Sequence, residues 1–356
     1  MKYRNTYVKV SLKNITSNVS KMIQKYHDYQ YYFGVVKADS YGHYGNETVR
    51  AIIKGGCNYL AVSSLEEALK IRVEEPTIPI LCLGIIPPSY LKIAEENNIT
   101  ITVTSLNYLK ELTKTSFQKL KIHLKLNTGM NRLGFKEKQE LNEAYQLIKQ
   151  CEGIVLEGIY THIYEATSLK NTEKQFSEFE ELCAQINLNS IPIVHITASD
   201  ATALYPKCSY VNGCRFGIMM YGFSKDPDLQ LDSTFQLRSE IIQIQTLRKG
   251  ETVGYDGIYQ ATEEKERIGV VSIGYADGIV RANCGRTVTI NHKKYPIVGN
   301  ICMDMLFVKI DDTIKEHDEV ILIKDVEDVK RIAKYLNTVE HEVLCSIGKR
   351  VPRIYE

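Results

Sequence analysis

Between residues 31 and 217 the chain repeats one pattern, a short apolar β-branched run followed by an amphipathic segment. The runs are YYFGVVKA (31–38), YLAVSS (59–64), ILCLGI (80–85), ITITVTS (99–105), KIHLKLN (121–127), VLEGIYTH (155–162), PIVHITAS (192–199) and YVNGCRFG (210–217). Such runs predict buried strands. The text between them predicts helices. Ser64 and Glu67 form a capping-box pattern at the start of SSLEEALKIRVEE, with Leu65, Ala68, Leu69 and Val73 on one face. NTEKQFSEFEELCAQI repeats Phe176, Phe179 and Leu182 at helical spacing. Eight such units in roughly 200 residues predict an α/β fold, a (β/α)8 TIM barrel; a doubly wound open sheet fits the count less well.

Near residue 234 the pattern changes to strands and turns, with one helical stretch, DVEDVKRIAKYLN. A chain of 356 residues is too long for one ordinary core. The expected division is a barrel in 1–233 and a β-rich domain in 234–356, the first strand, about 5–10, pairing with the latter. A net charge of +1 argues against general attraction to nucleic acid or acidic membrane. The nine cysteines are scattered, without a C-x-x-C pair, which predicts reduced thiols, no metal site and a cytoplasmic protein. The start lacks the apolar core of a signal peptide, and no apolar run approaches a membrane span.

Chemistry in a barrel collects at the C-terminal strand ends, where a rigid scaffold supports the loops. Lys37 in GVVKADSYGHYG is read as the last buried position of the first run, with Lys125, His162, Ser199 and Arg215 near the ends of later ones. Singly, each has a bland reading as a rim salt bridge or a hydrogen-bonded core group. Five at one rim favour a ligand. Burial lowers a lysine's pKa, and the neutral amine can form a Schiff base with an aldehyde. RFGI (215–218) adds a glycine that lets backbone N–H groups approach a phosphate. Together these outline a pyridoxal phosphate pocket. Arg215 can only donate. It either faces the pyridine nitrogen, leaving it unprotonated and suiting proton removal and return without side reactions, or binds phosphate or a carboxylate.

These motifs resemble the alanine racemase family, of fold-type III, over essentially the whole chain. VVKADSYGHY resembles the cofactor-lysine signature, implying Lys37 as the Schiff-base residue and Tyr41 as a phosphate ligand. HLKLNTGMNRLGF implies Lys125 as the lysine that is often carbamylated, and Arg132 as the substrate-side arginine it orients. YTHIYEA supplies His162 near the cofactor ring, HITASDA the phosphate-binding Ser199, and CRFGIMMYG the pyridine-facing Arg215 with phosphate contacts from Gly217 and Ile218. VGYDGIY, SIGYADG and VGNICMDM imply a second catalytic base, Tyr255, the substrate-access tyrosine Tyr275, the substrate-contacting Met303 and a corridor residue, Asp304. The resemblance implies two-base interconversion of L- and D-alanine, with Lys37 on one face and Tyr255 from the other subunit of a head-to-tail homodimer on the opposite face. D-Alanine for peptidoglycan is the implied product.

Three positions depart from the family pattern. Asn127 replaces an aspartate near Lys125, Ala198 replaces an asparagine, and Lys349 replaces a tyrosine before RVPR that binds phosphate and shapes the substrate pocket. Serine or other small amino acids therefore stay open as substrates. A pyridoxal phosphate homeostasis protein on the same barrel would lack the second domain. A fold-type III decarboxylase would place a carboxylate where Arg215 stands, although Cys302 beside Met303 keeps that alternative in view.

Overall fold

The computed structural model describes residues 4–356. It divides into two compact units, one of Ile15–Ser40 with Asn46–Asp232, the other of the chain up to Asn14, Tyr41–Gly45 and Ser233–Glu356. After β1 (Tyr7–Val10), which belongs to the second unit, the chain builds a closed barrel. Its strands are β2 (Tyr31–Val35), β3 (Tyr59–Val62), β4 (Ile80–Cys82), β5 (Ile99–Val103), β6 (Leu120–Lys125), β7 (Ile154–Tyr160), β8 (Ile193–Ala198) and β9 (Gly213–Phe216). All pairs are parallel, and β2 closes the ring against β9 from Tyr31↔Gly213 to Gly34↔Phe216. The expected barrel is present. Every strand ends one to three residues before the run read from the sequence.

Two helical details differ from expectation. Ser64 Oγ caps Glu67 N at 3.3 Å, but the Glu67 carboxylate accepts from Ser63 N at 2.8 Å, so the reciprocal half of the capping box is not made to Ser64. The helix Leu65–Glu74 buries Ala68 and Ile71, while Val73 is 82% exposed. The helix Leu169–Leu182 buries Phe179 and Leu182 alongside Thr172 and Gln175; Phe176 is half-buried.

The second unit is an antiparallel-rich sheet. It contains β10 (Phe235–Leu247), β13 (Glu266–Val271), β14 (Thr287–Ile290), β15 (Lys293–Val298), β16 (Leu306–Ile310), β17 (Glu319–Ile323) and β18 (Arg353–Tyr355), beside a small hairpin of β11 (Thr252–Val253) and β12 (Tyr259–Gln260). The order is β13-β16-β15-β14-β17-β10-β1-β18, and β10 also pairs with β13, so part of the sheet closes on itself. β1 runs antiparallel to β10 and parallel to β18. Helix Val326–Tyr335 opens on the cap Asp325; a further helix, Glu340–Ser346, was not legible as a pattern. Arg353 donates to Gly42 O from two nitrogens, at 2.8 and 3.0 Å, and to Gly348, Val351 and Ile347 carbonyls. This staple explains why Tyr41–Gly45 groups with the C-terminal residues. None of the nine cysteines forms a disulfide among the described residues. Among the described residues no helix is long and apolar enough to cross a membrane.

Candidate active site

Lys37 does not end a strand. β2 stops at Val35, Val36 is buried, and Lys37 begins a turn in which Ala38, Asp39, Ser40 and Tyr41 all have φ between 49° and 56°. Four successive left-handed residues with side chains cost roughly 1–2 kcal/mol each and persist only where the surroundings over-determine them. Here Ser40 N donates to Val36 O at 2.9 Å, Ala38 N donates to Glu67 Oε1 at 2.7 Å, and Lys70 pairs with Asp39 at 2.7 Å. Glu67 thus holds the turn that presents Lys37. Sequence reading missed that role, giving Glu67 only to its own helix.

The desolvated lysine is Lys125, not Lys37. Lys37 is half-buried, whereas Lys125 is 6% exposed, donates to Leu126 O at 2.6 Å and lies 5.2 Å from the Tyr160 ring centre. Burial, then the charges of Arg215 and Arg132, lower its pKa to about 7. Asn127, in the place of the family's aspartate, accepts from Asn131 N at 2.9 Å and Gly129 N at 3.3 Å, so an amide oxygen organises this loop without adding charge.

The mouth is cationic. Burial depresses the His162 pKa to about 3, reinforced by Arg215, Lys125, Arg132 and Lys37. Four positive groups from three strand ends and their loops therefore act on one imidazole. Arg215 is buried and gives Nη2 to the carbonyls of Thr161 at 2.8 Å and Ile196 at 2.9 Å, and approaches His162 Nδ1 at 3.4 Å. Burial lowers it to about 10, still charged at neutral pH. Among the described residues no carboxylate pairs with it. Ser199 opens the helix Ser199–Leu204, and its Oγ accepts from Gly217 N at 2.9 Å; Ile218 begins the turn Ile218–Tyr221. Three further polar groups lie on the barrel strands, His123 on β6, Glu157 on β7 and His195 on β8. Their signal was present as charged or imidazole residues inside otherwise apolar barrel runs.

In the second unit Tyr255 stands on the turn between β11 and β12, 70% exposed. Gly254 (φ 70°) and Asp256 (φ 63°) supply left-handed corners, and Asn300 Nδ2 donates to Tyr255 O and Asp256 Oδ2, both at 3.0 Å. Tyr255, Cys302, Met303, Asp304 and Met305 line one depression of about 470 Å³. The Tyr275 loop is stitched to it: Tyr275 N donates to Cys302 O and Ala276 N to Met303 O, both at 3.0 Å. A Cβ on Gly274 would sit 2.4 Å from Cys302 O, so only glycine permits this approach. Asp304 pairs with Arg350 at 2.7 Å. Tyr41 is buried with its ring 5.6 Å from that of His341, and burial raises its phenol. Lys349 Nζ lies 5.8 Å from the Tyr44 ring centre.

The barrel residues fit pyridoxal phosphate by the chemistry of the donor set. A mouth with four cations, a serine hydroxyl on a glycine amide, and a buried arginine without a carboxylate partner matches a phosphate and an unprotonated ring nitrogen. A closed parallel barrel with this mouth, joined to an antiparallel β domain, defines the fold-type III class. Residues 10–225 match the family model "Alanine racemase, N-terminal domain", and residues 234–355 match "Alanine racemase, C-terminal domain". The chain belongs to the alanine racemase family, whose members depend on pyridoxal phosphate. It is 36% identical over 366 residues to alanine racemase 1 of Bacillus subtilis (strain 168), covering 99% of this chain and 93% of that one. Alanine racemase from Bacillus anthracis with bound L-Ala-P superposes with a TM-score of 0.93 at 31% identity, covering 100% of this chain and 96% of that one. The enzyme from E. faecalis gives the same TM-score and identity over 99% of each chain.

Proposed function

We propose that this chain is a pyridoxal phosphate-dependent racemase that interconverts L- and D-alanine. The observation that carries the reading is the convergence of Lys37, Lys125, Arg132 and Arg215 on His162, a mouth built for anions. Family membership over the whole chain supports alanine as substrate.

When bound, pyridoxal phosphate supplies an electron sink that makes the α-proton of an attached amino acid acidic. The chain's residues divide the remaining work. Ser199, Gly217 and Ile218 are the barrel's phosphate ligands, and Tyr41 and Lys349 are phosphate ligands by the family pattern. Arg215 donates to the ring nitrogen, and His162 flanks the ring as a neutral imidazole. Arg132, oriented by Lys125, takes the substrate carboxylate, and Met303 and Tyr275 bound the substrate and its access. Lys37 would hold the cofactor through its Nζ and, once the substrate amine has displaced it and freed that amine, would exchange a proton with one face of the α-carbon. Tyr255 of the partner subunit exchanges it with the other.

The barrel unit, Ile15–Ser40 with Asn46–Asp232, thereby carries the cofactor, and the region from residue 234 onward supplies the second base to the partner in a head-to-tail homodimer. The exposure of Tyr255, Ile258, Tyr275, Met303 and Met305 supports such a partner, because an apolar patch of this kind is seldom left in water. The free thiols support a cytoplasmic setting, and D-alanine for the cell wall is the proposed role. Lys349 gives a specific reason to keep serine as a second substrate, since it changes the volume and polarity where the family has a tyrosine.

Purified protein should absorb in the visible, and borohydride should bleach it and label Lys37. A colourless protein that takes up no pyridoxal phosphate refutes the reading. Tyr255→Phe should keep the colour and lose racemisation; full activity in both directions would remove Tyr255 from the mechanism. Hydrogen exchange and optical rotation with L-alanine and L-serine in parallel decide the substrate.

A further inference from the structure

The hydrogen bonding of Arg215 continues down the barrel interior. Arg215 Nη1 lies 2.7 Å from His195 Nδ1, His195 Nε2 lies 2.9 Å from His123 Nδ1, and His123 Nε2 lies 3.3 Å from Glu157 Oε2. That carboxylate oxygen also accepts from Tyr59 Oη at 2.6 Å and Thr100 Oγ1 at 2.8 Å, while Oε1 pairs with Lys121 at 3.2 Å.

The direction of each bond follows from which groups can donate. Arginine has no acceptor, so His195 Nδ1 must accept. A neutral imidazole has one N–H, so His195 carries it on Nε2 and gives it to His123 Nδ1. His123 is then protonated on Nε2, facing the carboxylate. Burial, reinforced by Arg215, holds His195 far below the usual histidine range. Burial also lowers His123, against the opposing pull of Glu157. Burial raises Glu157, but hydrogen bonds from His123, Tyr59 and Thr100 overcome it and bring the group down to about 2. An acceptor at the far end, here the Glu157 carboxylate, sets all the donors pointing one way.

The packing is built around this file. Phe33 and Tyr160 each stack on His195 with ring centres 4.6 Å apart. A Cβ on Gly158 would lie 2.5 Å from His123 Cε1. Both imidazoles are fully buried.

We propose that Glu157, acting through His123 and His195, is a positioning residue for Arg215, holding both imidazoles in the Nε2–H form so that the guanidinium meets an acceptor behind it. This rests on the reading of Arg215 as the ring-nitrogen donor. Without an acceptor at 157, the His123 proton is free to move to Nδ1. His195 must then accept on Nε2 and carry its proton on Nδ1, where it opposes the Arg215 N–H. Two donors face each other, and the guanidinium is pushed out of place.

The test compares wild type, Glu157→Gln and Glu157→Leu as full-length, cofactor-loaded protein. Nitrogen-15 spectra of the imidazoles read the tautomers, and steady-state kinetics with alanine give kcat and KM. Wild type and Glu157→Gln, whose amide oxygen still accepts, should carry protons only on Nε2 of both rings. Glu157→Leu should show mixed tautomers and lose about tenfold or more in kcat, the scale for outer-shell partners, with KM little changed. Either wild-type ring protonated on Nδ1 overturns the proposal, as does an equal kcat loss in both variants or a Leu variant with unaltered tautomers and rate. If Glu157→Leu does not fold, the wild-type and Gln spectra and rates decide. Absence of the visible band in wild type would instead refute the cofactor reading, and the tautomers of the same sample would still judge the file.

Discussion

The Glu67 carboxylate accepts the backbone N–H of Ala38 at 2.7 Å, tying the helix after β3 to the left-handed turn that starts at Lys37. Its other oxygen accepts from Ser63 N at 2.8 Å and Ser63 Oγ at 3.0 Å. One side chain thus spans two neighbouring strand ends. Removing it releases a strained turn and leaves a backbone donor without its charged acceptor. Glu67→Ala should cost about 1.5–3 kcal/mol, the worth of hydrogen bonds to a charged group, read as a lower urea midpoint. It should also slow borohydride labelling of Lys37. Glu67→Gln, which keeps one acceptor oxygen, should lose less.

Lys125 should make stability rise with pH above neutrality. Its pKa is about 7 when folded and 10.5 as a free side chain. Below pH 7 the amine is charged in both states and the burial penalty is complete. Between pH 7 and pH 10.5 only the unfolded chain holds the proton, so stability increases across that window. Lys125→Met should flatten this limb in urea titrations. A neutral amine at this pH also reacts with carbon dioxide, so carbon-13 bicarbonate should give a carbamate signal that Lys125→Met abolishes.

Gly158 makes room for His123, since a Cβ at this position would sit only 2.5–2.7 Å from three ring atoms. Gly158→Ala should destabilise the barrel by about 1–3 kcal/mol through overpacking, measured by thermal melting. Its imidazole signals should shift at His123 before any other histidine.

Asn300 should control Tyr255 without touching substrate. Its two bonds at 3.0 Å hold the turn at Tyr255 O and Asp256 Oδ2. Asn300→Ala should lower kcat while costing about 1–3 kcal/mol of stability, the range spanned by a bond to a backbone carbonyl and one to an exposed carboxylate. Asn300→Asp, which cannot donate from that position, should resemble alanine rather than restore the rate.

Much of this molecule was legible before the fold was known. Strand spacing gave the barrel, and the change of pattern near residue 234 marked the start of the β-rich part. The short motifs named the family. The order of Lys37, Lys125, His162, Ser199 and Arg215 along successive runs placed them at one end, because parallel strands put every C-terminus on the same side.

Burial and backbone hand were not legible, since both depend on neighbours distant in the chain. The sequence made Lys37 a strand-end residue and the desolvated amine; packing buried Lys125 instead and put Lys37 on a left-handed turn. No local pattern announces four positive φ values in Ala-Asp-Ser-Tyr, because the hold comes from Glu67, about thirty residues onward. Likewise His123, Glu157 and His195 read as scattered polar residues until three adjacent strands set their side chains in line. Composition and periodicity determine which elements form, because those preferences are local. Which charges lose their water, and which protons face which acceptors, is decided only when the ring of strands closes.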